Sequence, residues 1–184
     1  MANAIRSRSC LLLAGVLAGA PLSAAADDMF LRLDGIRGES TDARHKGEIE
    51  ILSYTQSMAG PFARGATGAG AAAGKAVCGM VTITKYVDLA SPDLVLNALN
   101  GRHIPKAVIF FRRPGQQFEY YKVTLDDVIV AEVEQSDSKT QPRVSEKVTL
   151  MGRRFFYEYT EQTPQGGSGG KPKAGWDCVA ASKA

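Results

Sequence analysis

Only two histidines, His45 and His103, occur in 184 residues, and three cysteines, one tryptophan and 8% aromatics complete a short list of reactive and bulky groups. With two histidines far apart and no partner at ligand spacing, a histidine-based metal site is excluded, and each histidine reads as a solvated or capping residue. Neither sign of charge dominates: 22 Lys and Arg stand against 19 Asp and Glu. A clustered basic face is absent, so nucleic acid is not an expected partner. Past the first 26 residues no apolar run approaches the length of a membrane span. No repeated strand–helix–strand unit occurs, which excludes a doubly wound sheet.

Hydrophobic residues make up 45% and charged residues 22% of the chain. That balance suits one globular domain with a real core. The first residues stand apart from it. Arg6 and Arg8 precede the apolar run Cys10–Ala20, Pro21 breaks it, and Ala24-Ala25-Ala26 offers small residues before Asp27. This is the layout of a secretory signal peptide over residues 1–26, with the domain over 27–184. Cleavage after Ala26 removes Arg6 and Arg8 and no acid, leaving 20 bases against 19 acids, a net charge of +1. It also removes Cys10, leaving Cys78 and Cys178. Two readings of that pair stand: a disulfide, as an oxidising compartment favours, or two unrelated thiols. A bridge would close a loop of about 100 residues, worth roughly 4 kcal/mol in the chain-entropy model.

Alternation predicts strands through most of the remainder. Leu31 and Leu33 share one face of the first, with Phe30, Arg32 and Asp34 on the other. Ile49 and Ile51 alternate with Glu48 and Glu50, and then the apolar parity moves to Leu52 and Tyr54, which requires a bulge or bend near Ile51-Leu52. Strands follow from Val77 to Val87, from Ala107 to Phe111 and, beyond a Pro114-Gly115 turn, from Phe118 to Glu134. In the last, the odd positions from Tyr121 to Val133 form an apolar face interrupted by Asp127. Either a bulge at Asp126-Asp127 turns that carboxylate out, which is the preferred reading, or it is buried on backbone N–H groups. Val148 and Leu150, then Phe155, Tyr157 and Tyr159 beyond a kink at Gly152, predict another strand; Trp176 and Val179 suggest a short last one.

One helix is predicted within Ser91–Gly101, with Ser91 as cap, Pro92 at the first helical position and Gly101 as its left-handed stop. Asp93, Asn97 and Asn100 give one narrow polar stripe, while Leu94, Val95, Leu96, Ala98 and Leu99 fill the rest. A helix this apolar must be covered on more than one side. Burial within its own domain and contact with a neighbouring subunit both satisfy that. The fold class is therefore mainly β: a small β-barrel of about seven or eight strands with one flanking α-helix.

Three motifs look chemical and fail. The glycine-rich stretch before Gly74-Lys75 would be a phosphate loop, but Ala69 stands where that pattern needs glycine and Ala76 where it needs Ser or Thr. Gly166-Gly167-Ser168-Gly169-Gly170 has the nucleophile-elbow spacing, but no histidine follows Ser168 and no helix starts at Lys171-Pro172; it reads as a glycine–serine linker. Asp126 and Asp127 are neighbours on a strand and point to opposite faces. No catalytic residue and no cofactor is expected.

Several stretches in order resemble the Hcp family, the tube proteins of type VI secretion systems: residues 30–40, His45-Lys46 and 48–53, Lys85-Tyr86-Val87-Asp88 with Ala90-Ser91-Pro92, Gly101–Ile104, Tyr121–Val128, Phe156–Tyr159 and Gly175-Trp176-Asp177. The resemblance covers about residues 29–178. It implies a small barrel with one helix, hexameric rings that stack into a hollow tube, effector proteins carried in the lumen, and no enzymatic activity. The glycine-alanine stretch would match the family's extended loop. Met29 stands where members of the family usually begin, and they normally carry no signal peptide. Translation can start at Met29, giving a cytoplasmic chain before secretion, or this is an exported relative, the preferred reading: a periplasmic or secreted ring subunit, or an adaptor that kept the barrel without the tube.

Overall fold

The computed structural model describes residues 26–60 and 76–184. The expected signal peptide, apart from Ala26, and nearly all of the glycine-alanine stretch lie outside them. Among the described residues nine strands and one helix run in the order β1 (Asp28–Leu33), β2 (Ile49–Ile51), β3 (Ser53–Ala59), β4 (Val77–Tyr86), α1 (Ser91–Asn100), β5 (His103–Arg112), β6 (Glu119–Ser136), β7 (Ser145–Tyr159), β8 (Lys173–Asp177) and β9 (Ser182–Lys183). The mainly β class with a single helix is as expected. The count exceeds expectation because two strands are only three and two residues long.

All strands are antiparallel in one sheet, ordered β2-β1-β5-β6-β7-β4-β3, with β8 on β7 and β9 on β8. Strand β7 keeps β6 along one side and divides its other side, giving Ser145–Leu150 to β4 and Arg154–Glu158 to β8. The two ends of the order, β2 and β3, are separated in the chain by Leu52 alone. The sheet therefore curls back on itself. It does so through that bend and the bond from Leu52 N–H to Thr84 O, 2.7 Å, rather than through a continuous ladder. Ile49 and Ile51 point inward before the bend and Tyr54 after it, as the change of parity required; Leu52 itself is 49% exposed.

A second change of face runs across the middle of the sheet. Ile104, Val128 and Gly152 lie level on β5, β6 and β7 and point inward, as do Ala107, Leu125 and Phe155 on the far side of a crease. Between them, Pro105-Lys106 and Arg153-Arg154 are exposed and Asp126-Asp127 half-buried. Two consecutive residues in each strand thus turn away from the core at one level, and the sheet folds there. Asp127 makes the turn with a left-handed backbone, φ 56°. No residue is inserted, so the expected bulge at Asp126-Asp127 is corrected to a kink that turns the carboxylate out. The odd-numbered apolar face ends at Leu125: Val128 and Val130 are buried, and an extra residue at Ala131 returns Val133 inward. A Cβ on Gly152 would come within 3.1–3.3 Å of the Leu125 side chain, so the crease leaves little room for a side chain there.

The core fills the curled interior with Leu31, Ile49, Val81, Ile83, Ile109, Leu125, Leu150 and Phe155, all essentially inaccessible. Helix α1 packs on β6 and adds Leu94 to this core. Val179, expected in the last strand, is 75% exposed in the turn that follows β8.

Candidate subunit-contact surface

The placement of α1 begins with a buried cation. Alternation along β4 sends Val81, Ile83 and Lys85 to one face, the inside, and Lys85 is completely buried. Its Nζ donates to Glu146 Oε1 at 2.6 Å, Asp88 Oδ1 at 2.7 Å and Tyr86 O at 2.8 Å, and lies 3.2 Å from Ser91 Oγ. Ser91 Oγ donates to Glu146 Oε1 at 2.7 Å and accepts the Asp88 N–H at 3.0 Å. The second Glu146 oxygen accepts from Gln135 at 3.1 Å. Burial pushes the Glu146 carboxyl up, but these hydrogen bonds and the Lys85 charge outweigh it and hold the group below the usual carboxylate range. The cluster ties the start of α1 to β4, β6 and β7. It also corrects the expected helix cap: Ala90 occupies that position without a side-chain bond, its N–H goes to Asp88 Oδ1, and Ser91 serves the buried cluster. The sequence signal was available, because Lys85 continues the inward parity of Val81 and Ile83.

At its other end α1 stops at Gly101, φ 64°, whose N–H reaches Asn97 O. The polar stripe is split: Asp93 and Asn100 are exposed, but its middle member is not. Asn97 is buried, its amide donating to Asp93 O at 2.7 Å, while Leu96 is 57% and Leu99 82% exposed. Of the four candidate contact residues, Leu94 is committed wholly to its own subunit and Val95 is half-buried. The outward surface is therefore Leu96 and Leu99, three residues apart on one helix face, with Leu89 (58% exposed) and Val87 just before the helix. A set of exposed leucines on an element pinned by a buried ion cluster is a fixed apolar surface suited to a partner.

His45 is not solvated, as expected, but buried, and it centres a stack that sequence reading missed. Its ring lies parallel to Phe30 with centroids 4.2 Å apart and 4.9 Å from Phe110. The Arg112 guanidinium covers Phe30 and that of Arg32 covers Phe110. Glu48 accepts from Arg32 at 2.6 Å and bonds His45 Nδ1 at 2.9 Å, while Asp42 pairs with Arg112 at 2.7 Å. The polar segment before β2 is thereby strapped over the outer faces of β1 and β5. The Arg112 hydrogen bond holds the Asp42 carboxyl at about 2. His103, by contrast, is exposed and bonds Asp127 at 2.5 Å.

Cys78 on β4 and Cys178 after β8 are joined as a disulfide, with their Cα atoms 6.0 Å apart. Ser168 lies exposed in a turn bridged to Gln162, and the glycines around it are held by bonds to Thr163 and Glu161 rather than forming a free linker. A shallow groove of about 700 Å³ is lined by Arg32, Lys106, Phe110, Lys122, Glu158 and Lys173. Among the described residues no three His, Cys, Asp or Glu side chains are grouped to hold a metal, and no helix is long and apolar enough to cross a membrane.

Comparison with known proteins agrees with this architecture. The profile of the family described as "Type VI secretion system effector, Hcp" matches residues 30–159. The protein is 34% identical over 155 residues to "Protein hcp1" of Pseudomonas aeruginosa, covering 83% of this chain and 95% of that one. Its fold is similar to Hcp1 from Salmonella typhimurium, with TM-score 0.73 and 35% identity over 87% of this chain and all of that one. It is also similar to a structure described as a type six secretion system protein, with TM-score 0.79 and 27% identity over 86% of this chain and all of that one. The matched segment takes in the strap, the buried ion cluster, α1 and the creased sheet, and on these grounds the chain belongs to the Hcp family of the type VI secretion system.

Proposed function

We propose that the chain is a non-enzymatic structural subunit whose copies close into hexameric rings, stack into a tube and carry effector proteins. Membership of the Hcp family supports this, and the observation that carries it is the outward face of α1. Leu96 and Leu99 are exposed on a helix whose angle is fixed by Lys85 and Glu146. A lone soluble domain gains nothing from holding leucines in water, whereas a ring covers them once per neighbour. Charge reversal there tests the reading. Leu99→Glu and Leu96→Glu are expected to leave the β-sheet circular dichroism intact and shift light scattering from a multi-chain particle to a single chain. Unchanged assembly in both variants would remove α1 as the contact.

Residues 1–26 support a second reading, an exported adaptor that keeps the barrel without a tube, secreted or retained in the periplasm. On export the domain would run over 27–184, and a start at Met29 would shorten it by Asp27 and Asp28 alone. N-terminal mass spectrometry of the protein from fractionated cells separates them: a start at Asp27 in an exported fraction supports export, and a start at Met29 in the cytoplasm supports the ordinary tube subunit.

A further inference from the structure

The first four residues of β4 stand outside the main sheet. Strand β7 pairs with β4 only from Val81 onward, so Val77–Met80 has β3 as its one ladder partner, through Met58 and Ala59. The register slips where this arm leaves the body, between Gln56 and Met58. Gly79 marks the slip: a Cβ there would meet Ser57 O at 2.2 Å, so the two strands approach more closely than a side chain permits. Among the described residues no ion pair and no hydrogen bond outside the β3–β4 ladder holds Met58–Ala59 or Val77–Met80. What does hold the arm is Cys78.

Its partner, Cys178, sits on firmer ground. The Cys178 N–H donates to Arg153 O of β7 at 2.9 Å. Just before it, Asp177 pairs with Arg153 and accepts the N–H groups of Val179 and Ala180 at 2.9 and 2.8 Å. The bridge therefore ties a two-stranded arm to a segment already fixed on β7.

We propose that the Cys78–Cys178 disulfide is a redox clasp: oxidised, it holds the β3–β4 arm against the segment after β8, and reduced, it lets the arm swing about the Gly79 slip while the rest of the sheet stays closed. Formation takes two protons and two electrons from the thiols. A disulfide oxidant accepts them by exchange; glutathione disulfide does so in vitro, yielding two molecules of glutathione. A reducing cytoplasm leaves the clasp open and an oxidising compartment closes it. Ring assembly is not required for the clasp, and export supplies only its timing.

The test is hydrogen–deuterium exchange on the purified chain after glutathione disulfide, and again after reductant. The Cys78→Ser/Cys178→Ser double variant is a second route to the open state, and reductant on folded protein replaces it should that variant not fold. Peptide mapping is expected to find Cys78 linked to Cys178 in the oxidised chain. Opening is expected to speed exchange at Met58–Ala59 and Val77–Met80 at least about tenfold, with Ala107–Phe111 and Tyr121–Leu125 unchanged. Three results overturn the proposal: no linked peptide after oxidation, equal exchange of the arm in both states, or equal acceleration over the whole sheet, which would make the bridge a global brace. A chain found to start at Met29 and stay in the cytoplasm would overturn export while leaving this result intact.

Discussion

Lys85 shows how a single side chain can organise an element it does not belong to. Its ammonium and the Glu146 carboxylate are both fully buried, 2.6 Å apart. Removing one partner strands the other charge without water, which costs about 3–5 kcal/mol. Lys85→Met is therefore expected to lower the unfolding free energy in urea by that amount, and the double change Lys85→Met/Glu146→Leu to recover most of it. A loss below about 1 kcal/mol in the single variant would contradict the buried-pair account. Asp42 offers a pH-dependent counterpart. Its folded value of about 2 is depressed by Arg112 from an ordinary 3.8, so its stabilisation is present at neutral pH and is lost as pH falls from about 4 to about 2. The stability difference between the wild type and Asp42→Asn should be clear near neutrality and vanish towards pH 2; a difference that persists unchanged in acid would contradict it. The two sites were not equally legible. Alternation announces Lys85, because positions 81, 83 and 85 share one face. Nothing local announces His45, whose burial depends on Phe30 and Phe110 from two distant strands meeting across it.

At the scale of the element, α1 divides its leucines between two tasks. Leu94 is wholly inside and Leu99 almost wholly outside. Leu94→Ala is expected to cost about 2–5 kcal/mol in chemical denaturation, as other buried leucine truncations do. Leu99→Ala should cost under about 0.5 kcal/mol in the single chain, since a surface change away from special features is nearly neutral. Equal costs would show that the helix is packed differently. Sequence reading found the helix and its Gly101 stop, but left open which face meets the sheet, because periodicity shows only which residues share a face. Asn97 can turn inward because its amide is satisfied by Asp93 O, four residues back. The crease was half legible in the same way. Gly152 and the Asp126-Asp127 pair each flagged a local irregularity, but only pairing across β5, β6 and β7 shows that Pro105-Lys106, Asp126-Asp127 and Arg153-Arg154 are one fold line. At Gly152 a Cβ would come 3.1 Å from Leu125 Cβ and 3.2 Å from its Cδ2, so Gly152→Ala should lower the melting temperature without changing assembly.

For the whole molecule, a sheet whose ends meet at Leu52 solves the problem of a small all-β chain, which must bury a core without leaving long edges. The mainly β class followed from the sequence because alternation and turn spacing are local. The route of closure did not, because it rests on which distant strands pair. What the curled sheet leaves uncovered is the leucine face of α1, and the central claim is that other copies of this chain cover it. Light scattering of the purified chain at its highest soluble concentration, with electron micrographs of the same sample, addresses that claim most directly. The account predicts ring-shaped particles with the mass of six chains, reduced to one by Leu99→Glu; single chains throughout, with no rings on the grids, would contradict it.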